Sequence, residues 1–239
     1  MFPATAAIAL LLFVGCGGQA NSKPRASRLV DGCLRLGTDA QAIHVRVSDS
    51  FAIEGAALGQ SKTGVVLANQ SDRDLCSWLR FARSLSRAGF GVLLFDYSGA
   101  DPQADVAAAA KELRRRGARS VALIGASKGA RAVLVAGSLP RVDAAAVVSL
   151  SAESTGPTGP PRIVPFARRL RVPLLFVAAR RDPWTANGRD THELFRAARS
   201  SVKRLVELPG EAHGVGLLEG GRGKNVSALV IAFLRRHRA

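Results

Sequence analysis

Short continuous apolar runs alternate along the chain with longer segments whose apolar positions recur every three or four residues. Gly64–Ala68, Val92–Phe95, Val121–Ile124, Ala144–Leu150 and Val172–Ala178 are runs of the first kind, and Arg204–Leu208, with Arg204 and Glu207 among its apolar residues, reads as a further strand. An apolar run of this length reads as a strand buried on both faces. Leu75–Ala88, Gln103–Arg116, Ala130–Ser138, Thr191–Ser200 and Asn225–Arg238 are segments of the second kind. Within them Leu75, Leu79, Ala82 and Leu85 share one helical face, as do Val106, Ala109 and Leu113. Two further runs, Ile43–Val47 and Phe51–Leu58, flank Ser48-Asp49-Ser50 and predict an antiparallel hairpin at a sheet edge. Strands alternating with helices of this length predict an α/β fold: a doubly wound, mostly parallel sheet with right-handed crossovers. Ser154–Pro165 (STGPTGPPRIVP) is too rich in Pro and Gly for a helical cap and predicts a loop that leaves any site beneath it open to broad substrates.

The run at Val121 continues into Gly125-Ala-Ser127-Lys128-Gly129-Ala130. A strand that passes through Gly-x-Ser-x-Gly into a helix makes a turn too tight for bulky neighbours, and it holds the serine hydroxyl outward. The helix N-terminus beyond it offers free N–H groups to a developing negative charge. An idle serine in a glycine-rich turn is the plainer alternative. A serine hydroxyl needs a base, and that base needs an orienting acid. In open α/β sheets such groups gather in loops after the strands. Asp182 follows the Val172–Ala178 run, and His213 follows the last strand in Gly210-Glu-Ala-His213-Gly214. Of the other histidines, His44 lies in an early strand, His192 inside a helix and His237 in the basic terminal helix. Glu153, after the strand ending at Leu150, is the other loop carboxylate that could serve as the acid.

These motifs resemble the α/β-hydrolase fold, in particular its serine esterases and dienelactone-hydrolase-like members, from about residue 43 to the end. The resemblance implies an α/β-hydrolase domain over residues 41–239, without a cap domain. It implies Ser127 as nucleophile, His213 as general base and then acid, and Asp182 as orienting carboxylate. The oxyanion hole would be the backbone N–H groups of Lys128 and Gln70, the latter in Asn69-Gln70 where related hydrolases often have His-Gly. Strict dienelactone hydrolases carry Cys as nucleophile, so Ser127 favours ester chemistry. Phe95-Asp96-Tyr97-Ser98-Gly99 resembles the structural Asp-x-x-Gly turn of these proteins, which leaves Asp96 outside catalysis. Lys128 stands where an apolar residue is common; its ammonium either favours an acidic substrate or points to solvent. An acyltransferase on the same fold, or a non-catalytic hydrolase-fold envelope binding protein, are the rival readings.

Composition changes the picture in two ways. There are 34 Lys+Arg against 18 Asp+Glu, a net charge of +16. The arginines are dispersed and no aromatic stripe accompanies them, which argues against a nucleic-acid surface and fits attraction to anionic lipid or polymer, or simply a solvated basic surface. The expected partners are thus a small-molecule or lipid-like ester and a membrane, with no nucleic acid. No Cys/His spacing fits a metal site, and no cofactor is expected.

The second change comes from the N-terminus. Ala4–Val14 is apolar but well short of the about 20 residues that span a bilayer, so residues 1–15 read as a signal peptide. Phe13-Val14-Gly15-Cys16 resembles a bacterial lipobox, which implies lipidation of Cys16, a tether and lead-in over 16–40, and a protein exported to the outer face of the cell membrane or secreted. Phe13 replaces the usual Leu, and no basic residue precedes the apolar core. With Cys16 processed, Cys33 and Cys76 remain as an even pair, either a disulfide or two buried thiols.

Overall fold

The computed structural model describes residues 33–34, 39–155 and 162–237. The expected signal peptide, Cys16 and most of the tether lie outside the described residues. Eight strands form one sheet in the order β1-β2-β4-β3-β5-β6-β7-β8. They are β1 (Ala40–Arg46), β2 (Ala52–Leu58), β3 (Thr63–Ala68), β4 (Gly91–Phe95), β5 (Ser120–Ala126), β6 (Ala146–Leu150), β7 (Leu174–Ala179) and β8 (Lys203–Leu208). The first hairpin is antiparallel, β2 runs antiparallel to β4, and every pairing from β4 to β8 is parallel. This is the predicted α/β-hydrolase architecture.

The helices are α1 (Leu79–Arg87), α2 (Pro102–Arg115), α3 (Lys128–Gly137), α4 (Val164–Ala167), α5 (Arg189–Ala197) and α6 (Gly220–Arg236). The continuous apolar strands bury residues on both faces because each face meets helices. Val66, Leu93, Phe95, Val121 and Leu123 pack with α2, α3 and α5 through Val106, Ala109, Val133 and Leu194. Their alternates Val65, Leu67, Val92, Leu94 and Ile124 pack with α1 and α6 through Leu79, Leu85, Val226, Val230 and Leu234. Period-two alternation thus operates inside runs that look uniformly apolar in sequence.

Three expectations are corrected in detail. Leu75–Ala88 is not one helix: a 3-10 turn over Leu75–Trp78, capped by Asp74 accepting from the Cys76 N–H, precedes α1. The final helix begins at Gly220 rather than Asn225. Gly223 is the reason, since a methyl group there would overlap the Leu218 backbone and only glycine lets the first turn close against it. Within the expected Ser154–Pro165 loop, Val164 and Pro165 instead open α4, where proline's fixed φ and missing N–H suit a first turn. Residues 156–161 lie outside the described residues.

Cys33 and Cys76 form a disulfide with Cα atoms 5.8 Å apart and 43 residues of separation. Closing a loop of that length restricts the unfolded chain by about 2–4 kcal/mol. The double variant C33A/C76A is therefore expected to unfold at lower urea, with a free-energy loss in that range. A denaturation midpoint unchanged by the variant would contradict this.

Candidate active site

The register brings the C-terminal strand ends level: Ala68 pairs with Gly125, Gly125 with Ser149, and Ser149 with Phe176. The loops carrying Gln70, Ser127, Glu153, Asp182 and His213 therefore leave the sheet on one side. Ser127 itself occupies φ 50°, ψ −115°, a conformation that costs a serine about 1–3 kcal/mol. Its N–H donates to the Leu150 carbonyl at 2.9 Å, and its carbonyl accepts from Arg131 N–H at 3.0 Å. The turn is so tight that a methyl group on Gly125 would overlap the Gly129 carbonyl, and one on Gly129 would overlap the Ala68 carbonyl. The two glycines thus let β5, α3 and the end of β3 meet around a serine that is only 4% exposed.

The geometry unites His213 with Asp182. Its Nδ1 lies 2.8 and 3.0 Å from the two carboxylate oxygens. Asp182 is 0% exposed and also accepts from the Trp184 N–H at 3.1 Å. A bond from Nδ1 to a buried carboxylate fixes the ring and the tautomer, and it leaves Nε2 as the free nitrogen. Glu153, the other candidate acid, stands instead on Ser127, whose hydroxyl donates to Oε1 at 3.4 Å. Among the described residues no hydrogen bond joins Ser127 to His213. Glu153 is held from behind, its carbonyl accepting from Arg131 at 3.0 Å, while its neighbour Ser154 donates to Asp190.

Burial raises the Glu153 pKa above its ordinary value, and nearby Asp190 adds to the rise; Arg131, His213 and the Ser127 hydroxyl oppose it. A raised folded-state pKa means that the native protein holds this proton more tightly than the unfolded chain. The associated stability is fully present below the ordinary pKa of 4.5 and is lost as pH rises through the native value. Glu153→Gln should consequently stabilise the fold at pH 8 relative to the parent, with the advantage vanishing toward pH 4. Thermal unfolding at the two pH values checks the sign, and a larger advantage at pH 4 would refute it.

Two side chains seat the histidine loop, and sequence reasoning missed both. Gly214 N–H donates to Ser151 Oγ at 3.1 Å, and Val215 N–H donates to Gln70 Oε1 at 2.9 Å. These are otherwise unpaired donors at the start of a 3-10 turn over Gly214–Leu218. Gln70 was expected for its backbone. Its buried side chain also anchors the loop beyond His213, while no acceptor among the described residues meets its N–H or that of Lys128. The close approach of Gly129 to Ala68 and Asn69 sets these two N–H groups at neighbouring turns.

The Lys128 ammonium lies 4.4 Å from the centre of the Tyr97 ring. That cation–π contact is a third position, beyond the two weighed from sequence. Asp96 is structural, as expected: it accepts from Leu75 N–H at 2.8 Å and from the Asn69 side chain at 3.0 Å. Among the described residues no His/Cys/Asp/Glu group could hold a metal, and no helix is long and apolar enough to cross a membrane.

No protein-family model and no curated protein sequence matches the chain. Solved structures do. The Pyrococcus furiosus esterase Pf2001 superposes with a TM-score of 0.72 at 15% identity, over 84% of this chain and 91% of that one. A dienelactone hydrolase from Anabaena variabilis gives 0.67 at 19%, over 84% of this chain and 100% of that one. The esterase domain of a Rhodothermus marinus protein gives 0.69 at 22%, over 83% and 99%. The chain has the α/β-hydrolase fold.

Proposed function

We propose that this protein is a serine hydrolase that cleaves carboxylic esters through an acyl-Ser127 intermediate. The observation that carries the reading is the pairing of buried Asp182 with the partly buried His213, in loops level with the strained Ser127 turn. In this reading His213 Nε2 takes the Ser127 proton as Oγ attacks the ester carbonyl, and Asp182 stabilises the imidazolium. The N–H groups of Lys128 and Gln70 receive the oxyanion. His213 then returns the proton to the leaving alkoxide, and in the second half-reaction it activates water. The neighbouring folds include esterases and a dienelactone hydrolase, which supports ester chemistry by analogy of fold. Oγ stands on Glu153 in the structure, so the first step requires it to turn toward His213.

The contact between Ser127 and Glu153 is the observation that favours the non-catalytic alternative, a hydrolase-fold binding protein with an idle serine. A fluorophosphonate probe separates the two. Covalent labelling mapped to Ser127 is expected, and a folded protein that takes up no probe would leave the binding-protein reading in its place.

For location, we take the protein to be exported and lipid-anchored through Cys16. The Cys33–Cys76 disulfide supports an oxidising compartment, and the lipobox-like Phe13–Cys16 sequence supports the anchor. Metabolic labelling with an alkyne-tagged fatty acid should mark the parent and not Cys16→Ser. Equal labelling of both would exclude this anchor.

A further inference from the structure

The chain has two tryptophans. Trp78 is fully buried against α1, while Trp184 is 68% exposed, the most exposed large apolar side chain among the described residues. Water contact over most of an indole forgoes burial energy that a core position would capture. The backbone that carries this indole is nevertheless held in place. The Trp184 backbone N–H donates to Asp182 Oδ1, the same oxygen that lies 3.0 Å from His213 Nδ1. Pro183 precedes it in a 3-10 turn, and Asn187 N–H closes the loop onto the Asp182 carbonyl at 2.9 Å. The ring is tilted 46° to the imidazole of His213, with centroids 6.1 Å apart. An exposed aromatic face on a fixed backbone thus stands beside the group proposed to deliver a proton.

That position identifies which half of the substrate it meets. In the acylation step the Oγ–carbon bond forms and the bond from carbon to the alcohol oxygen breaks. The proton removed from Oγ travels on His213 Nε2 to the departing oxygen. The leaving alcohol must therefore lie against His213, where Trp184 stands, whereas the acyl group stays on Ser127. We propose that Trp184 is a leaving-group platform that selects esters of aromatic or other flat cyclic alcohols by stacking on them. The inference rests on the acyl-Ser127 reading and names the alcohol side of its substrate.

The test compares ethyl, phenyl and 2-naphthyl acetates on the full chain, in the parent and in Trp184→Ala. All three esters yield the same acetyl-Ser127, so kcat for the two aryl esters is set by one shared deacylation step. Equal kcat values for them in the parent establish that condition. Trp184→Ala should then lower kcat/KM for the aryl acetates about tenfold, a stacking-sized effect. It should leave their kcat, and kcat/KM for ethyl acetate, within about twofold, because Asp182 accepts from a backbone N–H that alanine keeps. Trp184→Phe should recover most of the aryl preference. Equal losses on ethyl and aryl esters would show Trp184 merely steadying the acid loop, and would overturn the platform, as would no loss at all. Failure to find acetyl-Ser127 by mass spectrometry in the parent is a different result, one that removes the acyl-serine reading and this inference with it.

Discussion

His213→Ala is expected to lower kcat/KM for phenyl acetate by about 10⁴-fold or more, with the fold intact. The magnitude follows from what the imidazole does in the proposed mechanism. Without a base, Ser127 stays a neutral alcohol at pH 7, and the N–H groups of Lys128 and Gln70 act alone. Ser127→Ala should fall to a similar floor, and the double variant should fall no further, since the two residues act on one step. Asp182→Asn tests the remaining contact. Amide donors facing Nδ1 favour the wrong tautomer, and a loss on the order of 10⁴ in kcat is expected. Glu153→Gln supplies the contrast. Among the described residues Glu153 accepts a hydrogen bond from Oγ and shares none with His213, so this variant should retain most activity at pH 7. If Glu153→Gln were as inactive as Asp182→Asn, Glu153 would be the working acid and the assignment would have to be reversed.

Much of this was legible in the sequence because the relevant physics is local. Largely apolar runs of four to seven residues are strands wherever both faces are covered, and β3, β5 and β7 lie within two residues of their expected ends. Ser127, Asp182 and His213 could be placed in post-strand loops because a parallel sheet puts every such loop on one side. What the sequence hid depends on side-chain direction across long separations. Gln70 reaches Val215 over 145 residues, and Ser151 reaches Gly214 over 63. A glutamine or serine that anchors a distant loop is of the same type as one that only meets solvent. The positive φ of Ser151, 57°, which opens the turn after β6, leaves no mark in composition. The split between Asp182 and Glu153 was similarly hidden: both are carboxylates after strands, and only packing shows one against the histidine and the other against the serine. Trp184 was overlooked because an exposed tryptophan cannot be told from a buried one by sequence.

The glycines around Ser127 make the second large prediction, because there fold and site depend on the same atoms. A methyl group on Gly129 would overlap the carbonyl of Ala68 and crowd that of Asn69, both backbone atoms at the end of β3. A flexible side chain could move aside; a carbonyl in a parallel ladder cannot without breaking pairing with β5. Gly129→Ala should therefore cost about 3 kcal/mol or more, the upper range for overpacking. In a domain of this size that corresponds to a midpoint lower by roughly 6–12 °C. Gly221, in the exposed first turn of α6, is the matched control, because a methyl group there meets nothing within 4 Å. Gly221→Ala should be neutral or stabilising by up to about 1 kcal/mol, as expected for alanine in a helix. Any Gly129→Ala protein that does fold must have shifted α3 away from β3, which parts the N–H of Lys128 from that of Gln70. Such protein should still take up the fluorophosphonate, since Ser127 and His213 persist, but turn over esters about 10²-fold more slowly for want of a closed oxyanion site. A Gly129→Ala variant with parental stability and parental turnover would show that the elbow tolerates a methyl group, and that the approach of α3 to β3 does not build the site.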